Sequence, residues 1–163
     1  MKSNFFNFSV DKENSKVIVE REFAAPQTNV WAAWTQPELL DQWWAPKPWK
    51  SETKEMNFIE GGRRLYAMIG PNGEEHWSLS DFLTIDAENN FTTLNAFSDS
   101  DGKINEDFPR SNWNVTFSEA NDTTMVRVEI RHQKLADLEK YIEMGFKEGF
   151  TMALGNLDEL LEA

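Results

Sequence analysis

Acid–base chemistry needs a side chain that titrates near working pH and is held against the reacting group, and this sequence offers few such side chains. His76 lies in Glu74-Glu75-His76-Trp77-Ser78, just after the turn signal Pro71-Asn72-Gly73, and Tyr66 lies in the segment before that turn. These two are the candidates for proton transfer or for holding the polar group of a ligand. Strand parity leaves their direction open, because Trp77, Leu79, Leu83 and Ile85 oppose His76, Ser78, Phe82 and Thr84, and both faces carry apolar residues. His132, between Arg131 and Gln133 at the end of a strand pattern, reads as solvated. With two histidines far apart and no cysteine, zinc would have to recruit scattered carboxylates, so no metal is expected. The loop Asp99-Ser100-Asp101-Gly102-Lys103-Ile104-Asn105 departs from the calcium pattern: its glycine comes too early, and Arg110 stands where a bidentate glutamate belongs. Gly61-Gly62-Arg63-Arg64 lacks the strand, glycine loop and helix of a nucleotide motif and reads as a tight turn with two solvated arginines. No cofactor is expected.

The aromatic residues carry more information than the titratable ones. Five of the seven tryptophans fall between Val17 and Trp49, in or beside Val30-Trp31-Ala32-Ala33-Trp34 and Leu39-Leu40-Asp41-Gln42-Trp43-Trp44-Ala45-Pro46. So many large rings around one short helical insertion suggest a thick core or the wall of a cavity. If a cavity is present, the candidates for its lining are Trp34, Trp43, Trp44, Met56, Tyr66 and Met68, together with His76, Phe97, Trp113, Phe146 and Phe150. An aromatic or aliphatic ligand against such walls gains about 25 cal/mol for each Å² of apolar area removed from water. The alternative is that the same side chains fill the space.

The elements that must position these residues follow from periodicity. Phe6, Phe8 and Val10 alternate with polar neighbours, Asp11-Lys12-Glu13-Asn14 supplies a turn, and Val17, Val19, Arg21 and Phe23 resume the two-residue period, which predicts a hairpin. Pro26 suits the first turn of a helix over about 27–34, and Thr35-Gln36-Pro37-Glu38 predicts a capping box at the start of a second helix that Pro46 ends. From Trp49 to Arg131, strand patterns separated by turn signals predict an antiparallel meander, clearest in Trp113, Val115 and Phe117 and in Val126, Val128 and Ile130. Lys134 to Glu162 contains no proline and repeats Leu135, Leu138, Ile142, Phe146, Phe150, Leu154, Leu157 and Leu161 at helical spacing, which predicts one long C-terminal helix. That helix must bury its stripe on the apolar face of the sheet, so the sheet is expected to curl around it. Gly145, Gly149 and Ala153 place small residues on one of its sides, for close approach of another element or as room for a ligand.

At 163 residues the chain is expected to form one α+β domain, without need of disulfides. The absence of cysteine and of a signal-peptide pattern points to the cytoplasm. The net charge of −12 repels phosphate backbones and anionic lipid, so neither nucleic acid nor membrane is an expected partner. The edges of a partly open sheet permit a homodimer or a protein partner without requiring one.

Arg21-Glu22-Phe23-Ala24-Ala25-Pro26, then Val30-Trp31-Ala32-Ala33-Trp34-Thr35, Pro37-Glu38-Leu39-Leu40 and Trp43-Trp44-Ala45-Pro46, resemble the opening signature of one branch of the START-like, or SRPBCC, superfamily. That branch is named after the activator of the ninety-kilodalton heat-shock-protein ATPase. Gly61-Gly62, Phe97-Ser98-Asp99-Ser100-Asp101-Gly102 with Pro109, and the ending Gly149-Phe150-Thr151-Met152-Ala153-Leu154-Gly155-Asn156-Leu157 extend the likeness over residues 16–162. Residues 1–15 look like an added strand. The ending has phenylalanine at Phe150 where family members commonly carry tryptophan. The resemblance implies a helix-grip fold, in which a curved antiparallel sheet wraps a long C-terminal helix and two short helices follow the first long strand. It further implies a cavity between helix and sheet for a small apolar or amphipathic molecule. It leaves two alternatives: an enzyme of the cyclase or dehydratase kind, which here would use His76 or Tyr66, and a module that stimulates a chaperone ATPase.

Overall fold

Alternation of apolar and polar residues builds the sheet that the sequence predicts. The computed structural model describes residues 5–162, and in them eight strands form one curved, open antiparallel sheet that carries four helices. The strands are β1 (Phe6–Asp11), β2 (Lys16–Phe23), β3 (Lys50–Met56), β4 (Arg63–Ile69), β5 (Glu75–Asp86), β6 (Asn90–Ser98), β7 (Ser111–Ala120) and β8 (Thr123–Arg131), in the spatial order β1-β2-β8-β7-β6-β5-β4-β3. The helices α1 (Gln27–Thr35) and α2 (Pro37–Trp43) follow β2, and α3 (Leu135–Glu143) and α4 (Phe146–Glu162) close the chain. Residues 1–4 of the expected N-terminal addition lie outside the described residues; its strand is β1, which pairs with β2 from Phe6↔Arg21 to Asp11↔Lys16.

Parity decides which side chains face the helices. Val17 and Val19 stand opposite Ile130 and Val128, and Trp113 and Val115 oppose Ile130 and Val128 from the other side, so all of them enter one buried cluster with Val30, Trp34, Leu138, Leu154 and Leu157. In β5 the register shifts between Phe82 and Thr84, so that Phe82 and Ile85 both turn towards this cluster while Leu83 is exposed. On the opposite face Leu65, Leu79 and Ala96 pack with Trp77 and Ile104 beneath the 99–105 loop. In that loop the Asp99 carboxylate accepts the N–H groups of Asp101 and Lys103, each at 2.9 Å.

Two details of the helices differ from the sequence reading. The C-terminal helix is broken, with α3 ending at Glu143 and α4 starting at Phe146. Gly145 between them has φ +92°, and its N–H bonds the Ile142 carbonyl at 3.0 Å, the left-handed ending that glycine adopts without the strain a Cβ would bring. The apolar repeat continues through this break because Ile142, Phe146 and Phe150 keep a four-residue spacing, and so it conceals the break. A Cβ at Gly145 would meet nothing within 4 Å. Gly145→Ala is therefore expected to lower stability through backbone conformation alone, by about 1–2 kcal/mol; a urea midpoint equal to or above wild type would contradict that account.

The capping box does not form. Thr35 is the last residue of α1, and its hydroxyl bonds back to the Trp31 carbonyl at 2.8 Å, so Gln36 becomes the N-cap of α2 with no side-chain cap bond and Pro37 takes the first helical position. Glu38 still lies in the first turn of α2, where its charge complements the helix dipole.

Candidate ligand cavity

The inner face of β4 to β7 is built from the even residues of β4 and the first part of β5. Arg64 stands opposite Ser80, Tyr66 opposite Ser78 and Met68 opposite His76; Ser78 in turn faces Phe97, and Ser80 faces Asn95, which pairs with Ser111. Over this face lie the end of α2, the break at Gly145 and the first turns of α4. Between them is a cavity of about 260 Å³, with walls that include Trp44, Tyr66, Trp113, Tyr141, Phe146 and Phe150. Phe146 stacks on Phe150 at 5.2 Å and on Tyr141 at 4.4 Å, and Trp113 meets both phenylalanines edge-on. His76, Pro109 and Met144 also line the cavity and are exposed, which places its mouth. Gly145 and Gly149 belong to the lining, so the small residues of the C-terminal segment leave space here.

One wall is held by a buried cation. Arg64 is 3% exposed; its Nη2 donates to Ser51 Oγ at 3.0 Å and to Asp41 Oδ1 at 3.4 Å, and its Nε donates to Thr53 Oγ1 at 3.2 Å. The guanidinium lies 3.9 Å from the centre of the Tyr66 ring. Tyr66 is fixed from the other direction by Trp44, whose indole Nε1 donates to the tyrosine hydroxyl at 3.0 Å. The hydroxyl thus accepts from Trp44 and keeps its own proton to give. The reading of Arg63 and Arg64 as two solvated arginines is accordingly corrected: Arg63 is half-exposed and pairs with Asp81, while the parity of β4 drives Arg64 inward onto Asp41.

Where β6, β7 and β8 meet, part of the lining is polar. Asn95 and Ser111 are paired across β6 and β7, and one step beyond the last β7–β8 pair, Asn112↔Arg131, comes His132. His132 is 5% exposed, its ring lies 5.0 Å from that of Tyr141, and neither ring nitrogen has a hydrogen-bond partner among the described residues. Burial pushes its pKa below the ordinary histidine value, and the nearby Asp137 offsets this only in part, so the imidazole is predominantly neutral at pH 7. Burial also raises the Tyr141 phenol well above its usual range, helped by Tyr66, and keeps it protonated.

The family model described as "Activator of Hsp90 ATPase homolog 1-like protein" matches residues 24–162. The chain belongs to this family. Solved structures agree with it as far as the fold. Protein Ms6760 from Mycobacterium smegmatis is 28% identical with TM-score 0.89, the alignment covering 95% of each chain. A protein from Arthrobacter aurescens is 26% identical with TM-score 0.90 over 96% of this chain and 91% of its own, and one from Staphylococcus epidermidis is 27% identical with TM-score 0.83 over 94% and 93%. Comparison with curated proteins gives no match.

In this member of the activator of Hsp90 ATPase homolog 1-like family, the residues that the sequence nominated divide into three groups. Trp44, Tyr66, Met68, His76, Phe97, Trp113, Phe146 and Phe150 line the main cavity. Trp34 and Met56 instead line a second space of about 30 Å³ beside Arg64, room for water and not for an aromatic guest. Trp43 lines neither: it is 1% exposed, and its indole donates to the Ala33 carbonyl at 2.9 Å, tying α2 to α1. Tyr66 and His76 both point to the cavity side, but His76 is exposed and packs on Trp49 at 5.0 Å, whereas Tyr66 is buried. His132, read as solvated, is buried because the alternation of Val126, Val128 and Ile130 continues to it and α3 covers it. Among the described residues no group of acidic or histidine side chains is placed to hold a metal, and no helix is long and apolar enough to cross a membrane.

Proposed function

We propose that the protein binds a small, uncharged aromatic or amphipathic molecule in the cavity between α4 and the sheet. One observation carries this reading: among the described residues the lining contains no aspartate, glutamate, lysine or arginine, while seven of its residues are tryptophan, tyrosine or phenylalanine. An ion entering such a space would lose its hydration without gaining a counter-charge, whereas a flat apolar ring gains edge and face contacts with Trp113, Phe146 and Phe150. At about 260 Å³ the cavity sits near the lower end of ligand pockets, which suits a molecule of one to three rings. After the cost of association, burial of two fused rings supports a Kd on the order of 10–100 μM.

Titration calorimetry with 2-methylnaphthalene and with naphthalene-2-sulfonate tests this. Saturable binding of the first and at least about tenfold weaker binding of the second are expected. No saturable binding of 2-methylnaphthalene, with no small molecule retained by protein isolated from its source in native mass spectrometry, would overturn the proposal. Stimulation of a chaperone ATPase by protein whose cavity binds nothing would favour the interaction reading that the family description suggests.

A further inference from the structure

We infer that His132 selects what enters the cavity, and that the molecule it selects is a neutral aromatic compound bearing a hydroxyl group. The inference rests on the reading of the cavity as a ligand site and goes on to name the chemistry of the guest.

Among the described residues that line this cavity, His132 is a buried side chain whose polar atoms the fold leaves unused. Its backbone N–H is satisfied by the Ser15 carbonyl at 2.9 Å; the residue is part of the cavity lining, and both of its ring nitrogens are buried without partners among the described residues, so that a guest reaches them by a small turn of the ring. A buried polar group left in that condition costs free energy, and the cost is recovered by any guest that completes its hydrogen bonds. A neutral imidazole presents one donor and one acceptor, and a hydroxyl can answer either, since it both gives and takes a hydrogen bond. A carboxylate would instead require a positive charge nearby, which the lining lacks.

The residues beside His132 fit the same guest. Ser111, 7% exposed, accepts the Trp113 indole N–H at 3.2 Å and so retains a hydroxyl proton to donate. Asn95 accepts from Thr93 at 2.8 Å through its carbonyl oxygen, which leaves its amide hydrogens on the cavity side of β6 available for an oxygen. Asn95, Ser111 and His132 thus set three polar groups on neighbouring strands beside the aromatic rings, an arrangement complementary to an aryl alcohol or phenol lying under Phe146 and Phe150 with its oxygen towards β7 and β8.

The test compares 2-naphthol with 2-methylnaphthalene, near-isosteres that differ by hydroxyl and methyl, on the wild type and on His132→Phe. The substitution keeps a planar ring and removes both nitrogens; because no partner is left unpaired, the variant is expected to fold with an unchanged or higher thermal midpoint. The different solubilities of the probes in water cancel when their affinity ratio is compared between the two proteins. The ratio favouring 2-naphthol is expected to fall at least about tenfold in His132→Phe, through weaker binding of the naphthol. An unchanged ratio would overturn the inference. A measurement on the wild type alone gives an independent reading: 2-naphthol should shift the ¹⁵N resonances of the His132 ring and 2-methylnaphthalene should not, while equal shifts from both would also overturn it. Failure of both probes to bind would sink the cavity reading itself, whereas binding of both with no dependence on His132 would sink only this inference.

Discussion

Asp41→Ala is expected to lower stability by about 3–5 kcal/mol, far more than a half-exposed aspartate at the end of a short helix would ordinarily cost. The reason is the group it leaves behind. The Arg64 side chain is only 4% exposed, and burial pulls its pKa down, a sign that the charged form is short of solvent, while Asp41 and Tyr66 act in the opposite direction. Asp41 supplies the compensating charge. It also accepts the Ser51 hydroxyl at 3.0 Å, the Thr53 hydroxyl at 2.7 Å and the Thr53 N–H at 3.0 Å, so its removal strips four donors at the junction of α2 and β3. For a chain of this size the loss corresponds to a thermal midpoint lower by roughly 6–20 °C. Asp41→Asn, which keeps an acceptor in place, should fall between the two, and Arg64→Met should cost less than Asp41→Ala because the aspartate left behind can reach water. A change in midpoint of under about 2 °C for Asp41→Ala would mean that water already reaches the guanidinium.

Gly149→Leu should separate stability from binding. Gly149 lies within α4 on the cavity wall, and a Cβ added there would find only Pro46 Cγ, at 3.8 Å, an ordinary contact. Replacing glycine by leucine in a helix interior gains about 0.8–1 kcal/mol in propensity alone, and the new side chain buries apolar area by entering the cavity. The variant is therefore expected to be more stable than wild type by about 1–2 kcal/mol and to bind 2-methylnaphthalene at least about 100-fold more weakly. Gly149→Ala serves as the control, with most of the helical gain and little loss of affinity. Greater stability together with lost binding cannot be produced by misfolding. Undiminished affinity in the leucine variant would show that the probe sits elsewhere.

The strands were legible because parity is local. Val17 and Val19, or Trp113, Val115 and Phe117, state their buried face within a few residues, and the resemblance covered the order in which these strands are joined. Where parity was ambiguous, as in β5, the answer lay in a register shift at Leu83 that leaves no mark in composition. His132 could have been found: extending the period of Val126, Val128 and Ile130 by one step reaches it, and its polar neighbours Arg131 and Gln133 drew the reading towards solvent. Arg64 was harder to place, since its burial depends on Asp41, a residue in another element whose presence beside it only the fold establishes. The same holds for the division between Trp44, which faces the cavity, and Trp43, which faces α1. Adjacent tryptophans on a short helix look alike until both neighbours of that helix are known.

The pairing of β2 with β8 sets a schedule for the chain as it is made. Val17 stands across the sheet from Ile130, and Phe23 from Thr124, so the seam between β2 and β8 cannot close until β8 has left the ribosome. With β1 as its other neighbour, β2 must wait roughly 5–20 s at ordinary synthesis rates before its second partner exists. Through that interval an apolar strand edge stands open in a crowded cell, and the nascent chain depends on whatever keeps such edges apart.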